Sequence, residues 1–128
     1  LIILYYQIME WFAQLCLAIR YLHDQKIMHR DIKVQNTFLT SSGLVGTNFG
    51  LFEQLIKLGD FGISKQLENT EDLAKTQTGT PFYLAPEMWN SISTFKSDIW
   101  MLGCLLYELC TLDKPFPGDV MAVRKKLN

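Results

Sequence analysis

From Asp98 to Thr111 the chain reads DIWMLGCLLYELCT, and after the opening aspartate its one charge is Glu108. A helix that is apolar on almost every side is buried on most of them. Whatever else the chain builds must therefore pack around this segment. It is too short to cross a bilayer, and Glu108 would sit inside it. Ser97-Asp98 reads as its N-terminal cap. A second helix is expected from about Gln7 to His23, where Ile8, Trp11, Phe12, Leu15, Ile19 and Leu22 recur at steps of three and four. That spacing buries one face. Gln7 and Glu10 break up the apolar opening LIILYYQIMEWF and Arg20 follows it, so the run is not expected to be a membrane span, and it reads without the basic leader region of a signal peptide.

A hydrophobic share of 48% is enough for the core of one domain. A net charge of -1 gives no ground for expecting nucleic acid or an anionic membrane as partner. The three cysteines, Cys16, Cys104 and Cys110, lie in apolar helical patterns, and are expected to be buried free thiols in a reducing compartment. Between the helices, Phe38–Thr40 and Ile56–Leu58 read as short strands. Gly62–Thr80 is polar, rich in Thr, Lys and Glu, and reads as a mobile loop. Pro81 and Pro86 punctuate the stretch between that loop and the apolar helix, and a last short helix is expected near Val120.

The segment HRDIKVQN, His29 to Asn36, admits two readings: a solvated loop of mixed charge, or a loop that transfers phosphoryl groups. Three later words bear on the choice: GDFGISK, GTPFYLAPE and SDIWMLGCLLYEL, in that order. Taken singly, each is bland. A lone DFG is an Asp-containing turn, a lone HRD usually contains a packed histidine, APE is a helix start and SDIW is a capped helix. Together they resemble a eukaryotic protein kinase over nearly the whole chain. The flanking words EWFAQLCLAIRYLH, IKVQNTFL and KLGDFGISK are most similar to the NIMA-related (NEK) serine/threonine kinases.

The resemblance implies a mainly α (α+β) fold, a partial protein-kinase-like C-terminal lobe with a short β-hairpin beside the catalytic loop. It divides residues 1–128 into a catalytic loop at 29–36, an activation segment at 60–87 and a buried helix at about 98–111. Phosphoryl transfer asks for positioning and charge neutralisation more than covalent work. By the resemblance Asp31 orients the substrate hydroxyl and accepts its proton, and Lys33 is a point charge for the transferring phosphoryl group. Asn36 and Asp60 are the hard-oxygen ligands for Mg2+ that binds with ATP. Lys33 with Thr80 marks the serine/threonine class, so the partner is a protein substrate with a Ser or Thr acceptor. Arg30 beside Asp31 implies activation by phosphate on the loop, with Thr76 as the acceptor, by an upstream kinase or by autophosphorylation. His29, Phe61, Gly62, Glu87 and Asp98 are structural, and Asp98 holds the catalytic-loop backbone. His23 and the thiols are assigned to structure. The family setting implied is cytoplasmic, at the cytoskeleton, centrosome or cilium.

The chain departs from the family pattern in two ways. It carries no glycine-rich phosphate loop, no strand lysine and no C-terminal helices, and Glu87 lacks the downstream arginine it pairs with in kinases. Both ends are expected to be cuts through a larger protein, and the piece by itself is expected to be inactive. Its alternative role is a binding or scaffold module. Second, about ten residues, 45–54, extend what should be a tight hairpin. They are either a loop of this chain's own or translated intron, since a valine codon opens with GT and a glutamine codon can close with AG.

Overall fold

The structure, a computed structural model, describes residues 2–41, 54–59, 81–90 and 92–116. Helix α1 (Ile2–Asp24) starts at Ile2 instead of Gln7, because IILYY contains no residue that stops a helix. Its buried face is the expected one: Ile8, Leu15, Ile19 and Leu22 are buried, while Leu4, Tyr6, Leu17 and Tyr21 are exposed. Leu15 and Ile19 are each 1% exposed, and burial on that scale contributes about 1.5–3 kcal/mol per side chain. The helix ends in paired bonds, Lys26 N–H to the His23 carbonyl and Ile27 N–H to the Leu22 carbonyl. Lys26 takes the left-handed conformation (φ 62°) that this cap requires. The turn aims the chain back across α1 into HRDIKVQN.

Strands β1 (Thr37–Ser41) and β2 (Gln54–Leu58) pair antiparallel, in register from Thr37 opposite Leu58 to Ser41 opposite Gln54. Both are longer than the expected strands, and Gln54 belongs to the ladder and not to the extra residues. The rest of the 45–54 segment lies outside the described residues, as do the expected loop Gly62–Thr80 and the expected helix near Val120. The Gln14 side chain reaches across from α1 and accepts the Ile56 N–H at 3.0 Å. The bond occupies a donor on the open edge of the hairpin and fixes it against the helix.

Helix α2 (Phe95–Thr111) also starts earlier than expected. Its cap is Thr94, whose hydroxyl accepts the Lys96 N–H, while Ser97 Oγ accepts the Thr94 N–H in return. Ser97 and Asp98 are thus inside the first turn, both fully buried. The expectation of burial on most sides needs correcting too. Met101, Leu102, Cys104 and Leu105 pack with Leu15, Ile19, Leu22, Ile32, Tyr83 and Met88 in one core. Ile99 and Tyr107, on other sides of the helix, are 52% and 46% exposed. An all-round apolar pattern shows which positions tolerate burial; among the described residues α1 and residues 81–90 cover one side. No described helix is long and apolar enough to cross a membrane.

All three cysteines are free, but only Cys104 is buried; Cys16 is half-buried and Cys110 exposed. Cys110 lies at the end of α2, past the stretch that packs on α1. Burial raises the Cys16 thiol and pushes Cys104 up to about 11. Since the thiolate is the nucleophile, burial makes Cys104 the slow thiol at pH 8. Timed alkylation at pH 8 is therefore expected to modify Cys110 first and Cys104 last. Equal labelling of the two by mass spectrometry would contradict this packing.

Candidate active site

HRDIKVQN is not a solvated loop. Its apolar residue Ile32 is 0% exposed and sits in the core, and His29 and Asn36 are buried at either end. Asp31, Lys33 and Val34 are half-buried between them. Asp98, in the first turn of α2, holds the start of the loop. Its Oδ2 accepts the His29 N–H at 2.9 Å and its Oδ1 accepts the Arg30 N–H at 2.8 Å. The His23 imidazole donates through Nε2 to Oδ2 at 2.8 Å. A buried carboxylate needs such donors, and here it has them from three residues. Arg30 is held with φ 68°, a left-handed conformation that costs a side-chain-bearing residue about 1–2 kcal/mol. The turn it makes re-aims the next residue, Asp31, whose N–H donates to His29 Nδ1 at 3.3 Å.

Asp31, Lys33 and Asn36 converge. Lys33 Nζ lies 2.8 Å from Asp31 Oδ2, and Asn36 Nδ2 donates to the same oxygen at 2.8 Å and to the Asp31 carbonyl at 2.9 Å. Both side-chain contacts fall on Oδ2, so Oδ1 has no partner among the described residues. The short 3-10 turn Val34–Asn36 brings Asn36 back under Asp31, secured by Thr37 Oγ1 donating to the Val34 carbonyl at 2.7 Å. With its Nδ2 committed to Asp31, Asn36 has its amide oxygen left as a ligand atom for a hard cation. Gly59 N–H donates to the Asn36 carbonyl at 2.8 Å, so the residue preceding Asp60 is bonded to Asn36. Asp60, Phe61, Gly62, Thr76 and Thr80 lie outside the described residues. Among the described residues no cluster of His, Cys, Asp or Glu could by itself hold a metal ion.

The other expected structural residues are also placed. Glu87, in the 3-10 turn Pro86–Asn90, accepts from Ser97 Oγ at 2.6 Å. Glu87 is half-buried, and the Ser97 hydroxyl is its hydrogen-bond partner among the described residues. Arg30 Nε is buried and has no hydrogen-bond partner among the described residues.

Contacts around Tyr83 and Phe82 escape sequence reasoning. Tyr83, 1% exposed, donates its hydroxyl to the Glu108 carboxylate and accepts the Val34 N–H at a long 3.5 Å. Burial, reinforced by Glu108, raises its phenol above the usual range. Beside it, Lys114 Nζ stands 4.4 Å from the centre of the Phe82 ring. Together these join the GTPFYLAPE segment to the catalytic loop and to the end of α2. Tyr83 lies within that motif, but nothing local in the sequence pairs it with Glu108.

The profile described as a protein kinase domain matches residues 3–127. The chain is 51% identical over 114 residues to serine/threonine-protein kinase Nek5 of Homo sapiens, covering 88% of this chain and 15% of that protein. It is 53% identical over 116 residues to Nek1 of Mus musculus, covering 90% of this chain and 9% of that one. It is 51% identical over 111 residues to the putative serine/threonine-protein kinase B of Trypanosoma brucei brucei, covering 84% and 23%. The chain thus spans less than a quarter of the length of these relatives.

Proposed function

The chain belongs to the protein kinase family, and from that premise we propose that it is the catalytic-loop portion of a NEK-like kinase that transfers the ATP γ-phosphate to a serine or threonine hydroxyl of a protein. The observation that carries this reading is the meeting of Lys33 and Asn36 on one oxygen of Asp31. It leaves the other oxygen to accept a proton. The substrate hydroxyl oxygen forms the new bond to phosphorus, the bond to the ADP oxygen breaks, and the hydroxyl proton passes to Asp31 Oδ1. Lys33, held beside the carboxylate, supplies positive charge to the phosphoryl oxygens during the transfer. The Asn36 amide oxygen and Asp60 are the residues that would hold Mg2+, which when bound neutralises phosphate charge.

Regulation runs through the same residues. Arg30 has a buried guanidinium nitrogen with no described partner, which suits pairing with a phosphate on Thr76. Phosphate on Thr76 comes from an upstream kinase or from another copy. The NEK likeness supports a cytoplasmic setting at the cytoskeleton, centrosome or cilium. Since the 128 residues include no glycine-rich phosphate loop, activity is assigned to the parent protein and not to this piece alone.

The test is ATP-dependent phosphorylation of a generic protein substrate by the parent protein, with Asp60→Asn as control. Activity that disappears in the control supports the kinase reading. If the parent is inactive even after Thr76 has been phosphorylated, the scaffold reading takes its place.

A further inference from the structure

Past the end of α2 the chain turns back and leaves one cation in a fixed place. Leu112, left-handed at φ 61°, closes the helix with its N–H on the Glu108 carbonyl at 2.8 Å. The Asp113 N–H donates to Thr111 Oγ1 at 3.1 Å. Beyond Lys114, the Phe116 ring stacks on Trp100, with centroids 5.7 Å apart and planes 8° from parallel. Lys114 is thus pinned from both sides, and its ammonium stands 4.4 Å from the centre of the Phe82 ring. We propose that Lys114 is a specificity-determining residue for the protein substrate: its ammonium, held over Phe82 near the catalytic loop, favours an acidic or phosphorylated side chain a few residues from the acceptor hydroxyl, a role that rests on the proposed kinase activity.

The charge is available. A ring face attracts an ammonium through its quadrupole but does not neutralise it. Lysine carries three N–H donors, and the ring lies on one side of the group. The ion pairs among the described residues are Arg20 with Asp24, His23 with Asp98 and Lys33 with Asp31, and none includes Lys114. Of the carboxylates close to it in the chain, Glu108 takes the Tyr83 hydroxyl and Asp113 is exposed. Lys114 is half-buried, so an anion that meets it there is screened less than one at a fully exposed lysine.

Tyr83 sets the place. Phe82 precedes it in the 3-10 turn Pro81–Tyr83. The Tyr83 hydroxyl accepts the Val34 N–H of the catalytic loop, and Val34 follows Lys33, which meets Asp31. A protein that presents a hydroxyl to Asp31 therefore lays its flanking residues near the segment that carries Phe82 and Lys114. An extended chain covers about 3.3 Å per residue, so six residues on either side of the acceptor sweep roughly 20 Å. A nucleotide has no such reach, which is why the selection falls on the protein substrate.

The test uses the parent protein and peptides with one serine acceptor, in which glutamate replaces alanine at each flanking position in turn. At one position kcat/KM is expected to rise about fivefold over the alanine peptide, the scale of a single partly screened charge contact. In Lys114→Met, which keeps the stem over the ring and loses the charge, that ratio is expected to fall to near one. Lys114→Arg is expected to retain it, and added salt to shrink it. Phosphoserine at the same position separates the two sources. A gain equal to that of glutamate assigns acidic stretches, and a larger one assigns substrates that already carry phosphate. Peptide affinity by fluorescence anisotropy without ATP keeps the two readings apart. An inactive parent whose affinity shows the same glutamate gain, lost in Lys114→Met, refutes the activity and leaves the anion contact standing. No glutamate gain at any position, or a gain that survives in Lys114→Met, overturns the role of Lys114 whether or not the parent is active.

Discussion

Asp98→Ala is expected to lower stability by about 3–5 kcal/mol, the cost of breaking a buried charged cluster from one side. The substitution leaves the His29 and Arg30 amides and the His23 imidazole without their acceptor in a buried site. It also removes what holds Arg30 in its left-handed conformation. Asp98→Asn is expected to do little better, since an amide NH2 placed at either oxygen position confronts an N–H donor with another donor. The denaturation midpoint of the two variants is the readout. A wild-type midpoint for the alanine variant would mean that the loop is held by something other than this carboxylate.

The largest expected effect on activity is that of Asp31→Asn in the parent protein. The amide keeps the size and shape of the side chain and still offers an oxygen to Lys33 or Asn36, but it cannot take a proton. A loss of about 10²–10⁴ in kcat is expected, the range for removal of a general base. Stability is expected to change little, because Asp31 is half-buried and sits outside the apolar core. Retention of wild-type kcat would refute its role as proton acceptor. Loss of kcat together with a collapse in stability would show instead that Asp31 holds the loop together.

What the sequence reveals and what it hides can be traced to the range of the interactions. The apolar steps along α1 mark its buried face because helical periodicity is local. They do not mark its start: the polar Gln7 looks like a boundary, yet nothing before it breaks a helix. For α2, Ser97 and Asp98 are residue types that cap helices, and by type alone they read as the cap. The fold uses Thr94 there and commits both residues to distant partners, Glu87 and the catalytic loop. The cluster of Asp31, Lys33 and Asn36 is legible because it falls within one short segment. His23 with Asp98, Gln14 with Ile56, and Tyr83 with Glu108 are not, since each joins separate elements and leaves no periodic trace.

The ladder of β1 and β2 has a consequence for how the gene for such a chain can change. Ser41 and Gln54 are the last partners in the register, and their separation is set by the ladder itself. Every residue inserted or removed between them therefore enters and leaves at one fixed gate. The entropy of closing that gate grows only with the logarithm of the intervening length. Asn36 and Gly59 lie at the opposite end of the ladder, hydrogen-bonded to each other. Length variation at 42–53 is thus insulated from the end where Asn36, a proposed metal ligand, lies. This is the place in the chain where splicing or recombination can add sequence, or where a reporter can be grafted, without shifting the register on which the chemistry depends.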